Sequence, residues 1–321
     1  MNNDLHHSHD KLFRETWSDL SNAKSFLQSY LPAKVLRLVR LDSLEICKDS
    51  FIEADLKDYY SDMLYRVDFG DRPGYIYFLF EHKSFPDRLI HLQVLEYMLK
   101  IWQLEQKQGN SGKLSIIVPL VLYHGRARWK VNESFLSVFN GPAGALTEYI
   151  PDFRYVLYDL SQYSDEQIKG TVMARVTMLL LKHIFESDIS SRLPGIFSLL
   201  KDLSEKQTGL QYFESLIKYI FSNVDDITVD QMQSIVSSAL LEDKGDFIMT
   251  LAEKIRKEGL EQGLLEGVEL AVSIKFGDTE ESRAAIEKIR RVKNINLLKA
   301  LKDRIRTAAS PSDLTRIIDS W

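Results

Sequence analysis

Three charged residues near the ends of two apolar runs carry the chemistry: Asp62, Glu81 and Lys83. Glu81 and Lys83 follow directly on Tyr75–Phe80, six consecutive apolar residues of the kind that form a central strand covered on both faces. An acid and a base at the mouth of a buried strand are costly unless paired or bound to metal. Two carboxylates can hold Mg²⁺, or another divalent cation such as Ca²⁺ or Mn²⁺, and leave positions for water and a phosphate oxygen. The metal lowers the pKa of its water and neutralises developing charge. Lys83 can orient or deprotonate that water, or counter the charge of the transition state. The set therefore suits metal-assisted phosphodiester hydrolysis. The plainer reading is a surface strand end with an ordinary Glu–Lys pair.

The element that must bring these residues together is a β-hairpin. Tyr60–Phe69 and Tyr75–Ser84 are rich in aromatic and branched residues and flank Gly70-Asp71-Arg72-Pro73-Gly74. With the turn centred near Arg72, paired positions have an index sum of roughly 143 to 145. Asp62 then lies opposite Glu81, His82 or Lys83. Alternation puts Glu81 and Lys83 on one face and His82 on the other. An odd sum places Asp62 with Glu81 and Lys83; an even sum or a bulge does not.

The Asp-(x)18-Glu-x-Lys spacing resembles the PD-(D/E)xK nuclease superfamily. Longer words resemble the Rpn (YhgA-like) family of recombination-promoting nucleases, often labelled transposases. These are His9-Asp10-Lys11-Leu12-Phe13, Ser61-Asp62-Met63-Leu64-Tyr65, Phe80-Glu81-His82-Lys83-Ser84, Tyr97-Met98 and Pro119–Gly125. The likeness spans roughly residues 6 to 270, five words in order. Many relatives carry glutamine where this chain has Lys83. The resemblance implies a restriction-endonuclease-like mixed sheet flanked by helices. It also implies a Mg²⁺-dependent endodeoxyribonuclease with DNA as substrate, Asp62 and Glu81 as metal ligands, and Lys83 on the attacking water. An early helix in the superfamily often adds an acid; Asp10 and Glu15 are both candidates. Gln93 and Tyr97, four apart on one helix face, would look toward the site and position phosphate or water, or else satisfy one another in the core. Two rivals stand beside this reading: a nuclease-fold module that binds DNA or protein without cutting, and a transposase-associated factor. For a dedicated transposase the chain lacks a second acidic triad.

Composition fits a globular protein, with 45% hydrophobic and 27% charged residues among 321. No apolar run approaches the roughly 20 residues of a membrane span, and the N-terminus lacks the basic and apolar regions of a secretory signal. Cys47 is the single cysteine, which excludes intrachain disulfides and thiolate clusters and fits the cytoplasm. No P-loop, dinucleotide fingerprint, Gly-x-Ser-x-Gly or Cys–His zinc spacing is present. Net charge is −5, yet Arg283–Arg306 holds nine Lys/Arg against Glu287 and Asp303. Such a basic end can grip phosphate or be a solvated helix face.

Along the chain, His6, His7 and His9 lack a fourth metal ligand. Helical spacing runs from Asp10 to Tyr30, closed by Leu31-Pro32. Leu44–Cys47 and Phe51-Ile52 read as a short strand. Asp87 is a helix cap for a largely buried helix from Leu89 to Gln106 with more than one apolar stripe. Leu114–Tyr123 and Phe153–Leu160 read as strands. His124 at a strand end either reaches a phosphate or makes a structural hydrogen bond, and Asp159 lies near the end of the other strand. Four or five strands are expected in an α/β core. Helices follow at Val172–Phe185, Leu193–Leu203, Leu210–Phe221, Val229–Leu241 and Phe247–Phe276. The last carries Gly259, Gly263, Gly267 and Ala271 at four-residue spacing, a groove for another helix and a route to a homodimer; its glutamates exclude the membrane form of that motif. The expected division is a nuclease core over 1–163, a helical region over 164–246 and a helical tail over 247–321.

Overall fold

The computed structural model describes residues 2–47, 62–81, 87–109, 112–141, 143–201, 207–224, 226–240, 243–292 and 294–320; at 2–7, 81, 143, 207–210 and most of 243–258 it describes the backbone alone. It forms two compact units, Met1–Glu242 and Asp243–Trp321.

The first unit is built on a mixed five-stranded sheet: β1 (Val39–Ile46), β2 (Met63–Phe69), β3 (Arg72–Glu81), β4 (Ile116–Tyr123) and β5 (Val156–Asp159), side by side in that order. The first three strands are antiparallel, and β3, β4 and β5 run parallel. This is the expected α/β class.

Central β3 is covered on both faces, as its unbroken apolar run requires: every residue from Tyr75 to Phe80 is buried. On one face lie α1 (Asn2–Trp17) and α2 (Leu20–Tyr30). Phe13 stacks on Phe80, with ring centroids 4.4 Å apart, and Trp17 and Phe26 meet Phe78 at 5.6 and 5.0 Å. The helical spacing read as continuous from Asp10 to Tyr30 is cut between α1 and α2. There Asp19 caps α2, accepting from the Ser21 amide at 2.7 Å. Short α3 (Ala33–Leu36) leads into β1. Phe51 and Ile52, read as part of that strand, lie outside the described residues.

On the other face, α4 (Ile90–Lys107) packs Ile90, Val94, Tyr97, Met98 and Ile101 against Tyr75, Tyr77 and Leu79. This helix is less buried than expected: Leu92 and Leu99 are nearly half exposed. One stripe faces the sheet, and the second apolar set faces outward.

The hairpin register differs from expectation. Phe69 pairs with Arg72 and Met63 with Phe78, a constant sum of 141. The turn is only Gly70-Asp71, with Gly70 at φ +62°, the left-handed conformation that favours glycine. Arg72, Pro73 and Gly74 belong to β3. Pro73 is tolerated because β4 joins β3 only from Gly74 onward. Gly74 is needed there, since a Cβ would stand 2.7 Å from the Ile116 carbonyl and 2.6 Å from the Phe69 ring.

Beyond the sheet, α5 (Val172–His183), α6 (Ile189–Ser198), α7 (Gln207–Asn223) and α8 (Val229–Ala239) complete the first unit. The second unit packs α9 (Asp243–Phe276), α10 (Glu280–Ile289), α11 (Ile295–Ile305) and α12 (Pro311–Ser320) around Val268, Val272, Ile289, Leu298 and Leu301. Its basic run is partly neutralised by acids outside the run. Arg283 pairs with Asp278, Lys288 with Asp319, and Arg290 with Glu269 as well as Glu287. Among the described residues no helix is long and apolar enough to cross a membrane.

Candidate active site

The sheet end formed by the close of β3 and the start of β2 holds the candidate site. Asp62 immediately precedes β2 and is 9% exposed. With the observed register it extends the ladder opposite Leu79, two residues short of the expected Glu81–Lys83 span. The parity is nevertheless odd, so Asp62 belongs to the face of Tyr77 and Leu79. Glu81 closes β3 with its backbone in register with Tyr123; its side chain, and all of His82 and Lys83, lie outside the described residues. The expected approach of the Asp62 and Glu81 carboxylates falls outside them too.

Asp62 is held by donors from both sheet and helix. The Tyr77 hydroxyl donates to Oδ2 at 2.5 Å and the Phe80 amide to Oδ1 at 3.2 Å. The Tyr97 side chain, from α4, also favours the carboxylate. Tyr97 stacks on Tyr77 with centroids 4.6 Å apart, so the residue expected to face the site does so. Gln93, one turn earlier on α4, is half-buried on the same helix face. Burial dominates over these donors and pushes the Asp62 pKa up to about 7, with the negative charge of Asp10 adding to the rise. Burial and the adjoining Asp62 also raise Tyr77 well above the ordinary tyrosine value.

This electrostatic coupling separates the two acids left open by the sequence. Asp10 acts on Asp62, whereas Glu15, further round α1, acts on Tyr212. Asp10 thus adds its negative charge to the field at the buried Asp62. Among the described residues no group of three His, Cys, Asp or Glu side chains is placed to hold a metal. The described part of the site is Asp62 with Tyr77, the Phe80 amide and Tyr97 around it, and Glu81 closing β3.

A column of rings fixes the end of β3 beside Asp62. Phe13, Phe80, His124 and Phe185 stack in sequence, with the His124 ring 5.1 Å from Phe80 and 5.5 Å from Phe185. His124 is 2% exposed and its Nδ1 bonds the Leu181 carbonyl at 3.1 Å. It takes the structural role, and no phosphate can reach it. His9, read as part of a loose N-terminal trio, is buried on α1 with its Nδ1 2.9 Å from the Tyr219 hydroxyl. Asp159 is likewise structural: it accepts from the Trp129 amide, Ser161 and Gln162.

Sequence reasoning missed Tyr77 and the Phe80 amide. A signal existed for Tyr77, because a phenol inside a buried strand needs a partner for its hydroxyl. On the true register it is the diagonal neighbour of Asp62.

A mixed five-stranded sheet flanked by helices, followed by a helical C-terminal half, is consistent with a nuclease-like α/β fold. The family model described as "Putative transposase, YhgA-like" matches residues 7–211, and the chain belongs to that family. Three Escherichia coli K12 proteins are similar along most of their length. Recombination-promoting nuclease RpnA is 30% identical over 86% of this chain and 96% of its own. Inactive recombination-promoting nuclease-like protein RpnE is 29% identical over 85% and 90%. Recombination-promoting nuclease RpnC is 26% identical over 79% and 82%. No solved structure matches the chain.

Proposed function

We propose that this chain is a metal-dependent DNA endonuclease of the PD-(D/E)xK type that acts in recombination, in the cytoplasm. The observation that carries the reading is Asp62, a buried carboxylate oriented by Tyr77 and Phe80 and charged against Asp10. A carboxylate pair that burial disfavours is stabilised by a divalent cation, so the donor set fits Mg²⁺, with Mn²⁺ or Ca²⁺ as substitutes. Asp62 and Glu81 would hold the ion, with Asp10 beside them. When bound, the metal would lower the pKa of a water and neutralise charge on the scissile phosphate.

The chain's own groups then have distinct tasks. Tyr77 and the Phe80 amide fix which edge of Asp62 stays open. Lys83 orients or activates the attacking water. Gln93 and Tyr97 support the phosphate side from α4. The names of RpnA and RpnC support the nuclease assignment and the link to recombination. A second reading, a non-cleaving DNA- or protein-binding module, is favoured by one observation: RpnE, equally similar, is named inactive.

A homodimer is part of the proposal. On α9 the glycines 259, 263 and 267 are open, with nothing within 4 Å of an added Cβ, and Leu260, Leu270 and Ile274 are exposed alongside them. A second copy could close on that face and relate two sites by a two-fold axis, as a double-strand break needs.

The test is plasmid nicking by the purified full-length protein with and without Mg²⁺, with Asp62→Ala as control. Cleavage that needs both the metal and Asp62 supports the endonuclease. DNA binding without cleavage at any divalent-metal concentration supports the binding module.

A further inference from the structure

We propose that Arg126, Arg128 and Lys130 form a phosphate-binding rail along which duplex DNA lies as it enters the site. This rests on the endonuclease reading for its purpose, but the rail is defined by its own geometry. Between Tyr123 and Glu133 the chain carries these three cations and a single acid, Glu133. All three cations are exposed, while Ala127 is half-buried and Trp129 is 5% exposed. Every second residue therefore points outward, and the intervening ones anchor the segment.

The anchoring is specific. The Tyr123 hydroxyl donates to the Ala127 carbonyl at 2.7 Å. The Trp129 amide donates to Asp159 Oδ2 at 3.0 Å, and its indole donates to the Val131 carbonyl and to the Tyr155 hydroxyl, each at 3.1 Å. A cationic strip fixed to the sheet loses less entropy on binding phosphate than flexible surface lysines would.

Position ties the rail to the catalytic end. Tyr123 is in register with Glu81, so the segment leaves β4 at the level where β3 ends. The ring column links the two directly: the Phe80 amide holds Asp62, the Phe80 ring stacks on His124, His124 stacks on Phe185, and the Arg126 guanidinium lies 5.2 Å from the Phe185 ring.

Charge is also free here. Among the described residues none of the three cations forms an ion pair. Arg128 bonds only the neutral Gln162, at 3.0 Å, whereas Arg283, Lys288 and Arg290 in the tail are paired with carboxylates. Unpaired, closely spaced cations attract a polyanion, and the backbone of DNA is the polyanion that the adjoining site would act on.

The experiment is equilibrium binding of a dye-labelled 20–30 base-pair duplex by anisotropy, in EDTA, across a salt series, with full-length protein. Each lost phosphate contact reduces the slope of log K against log [salt] by about 0.9. The variant R126Q/R128Q/K130Q should bind more weakly, with a slope shallower by about 2.7. R128Q/K130Q, which leaves the Arg126–Phe185 contact in place, should lose about 1.8. Circular dichroism and the thermal midpoint should stay at wild-type values. Wild-type affinity and slope in both variants would overturn the rail, as would a slope that responds only to K299Q/K302Q/R306Q in the tail. Because binding in EDTA needs no cleavage, the two readings fail separately. A rail-dependent binder that never cuts keeps the rail and loses the endonuclease; an active nuclease with unchanged slopes does the reverse.

Discussion

Replacing Asp62 by asparagine tests whether the site carboxylate is held in a setting that disfavours its charge. Burial lifts its pKa from 3.8 to about 7. For an acid whose folded pKa is raised, the native state binds more protons than the unfolded chain between those two values. Stability is therefore fully present below about pH 4 and is lost as pH rises to about 7. At about 1.4 kcal/mol per pH interval, the ionised carboxylate costs the metal-free fold on the order of 4 kcal/mol at pH 8. Asparagine keeps one oxygen for the Phe80 amide and turns its NH2 toward the Tyr77 hydroxyl, which can accept, and it carries no charge. Its stability relative to wild type should shift in its favour by that amount between pH 4 and 8, about 10 °C in melting midpoint for a unit of this size. The assay is urea or thermal unfolding of both proteins in EDTA across that range. Steric or hydrogen-bond effects of the substitution are independent of pH and drop out of the comparison. A difference that stays constant from pH 4 to 8 would refute the argument. Added Mg²⁺ should reverse the order by stabilising only the wild type.

Other outcomes follow from the same geometry. Asp62→Ala, Glu81→Ala and Lys83→Ala should each lower Mg²⁺-dependent plasmid cleavage by orders of magnitude with the fold retained by circular dichroism; wild-type turnover in any of them removes that residue from the site. Tyr77→Phe deletes one donor to Asp62 and should raise the Mg²⁺ concentration for half-maximal cleavage about 10- to 100-fold; an unchanged metal midpoint would leave Tyr77 a packing residue only. Full-length protein should sediment as a dimer at micromolar concentration and a chain ending at Glu242 as a monomer; equal behaviour of the two would exclude α9 as the contact.

The sheet and its central hairpin were legible in the sequence because six consecutive aromatic and branched residues next to a glycine- and proline-rich segment read as a strand covered on both sides. The register was not. Arg72-Pro73-Gly74 has the composition of a turn, yet Pro73 sits where β3 still lacks a neighbour and Gly74 where β4 arrives. That information lies in the position of a strand 40 residues further on. Local composition also overstated the basic tail, because Asp278, Asp319 and Glu269 meet its cations from outside the run. The shared face of Gln93 and Tyr97 was legible from their spacing, since i and i+4 lie together on a helix whatever the tertiary fold. That the charge of Asp10 acts on Asp62 and that of Glu15 on Tyr212 depends on the packing of α1, which no one-dimensional pattern contains.

RpnA and RpnE differ from this chain by almost the same amount, at 30% and 29% identity, although one is named a nuclease and the other inactive. Overall similarity places the chain among nucleases by name but does not separate a cleaving relative from an inactive one. The physical reason lies in the site itself. The fold depends on the apolar faces of β3, α1 and α4, which many residues share. Metal-dependent chemistry depends on a few charged ones. Losing Asp62 would leave every one of those apolar contacts intact and would relieve a buried charge, so inactivation is structurally easy and even stabilising. A chain released from catalysis has no energetic reason to bury Asp62 within reach of the charge of Asp10, with Glu81 and Lys83 following in sequence. Their joint presence here is the argument for activity, and it rests on the cost of keeping them.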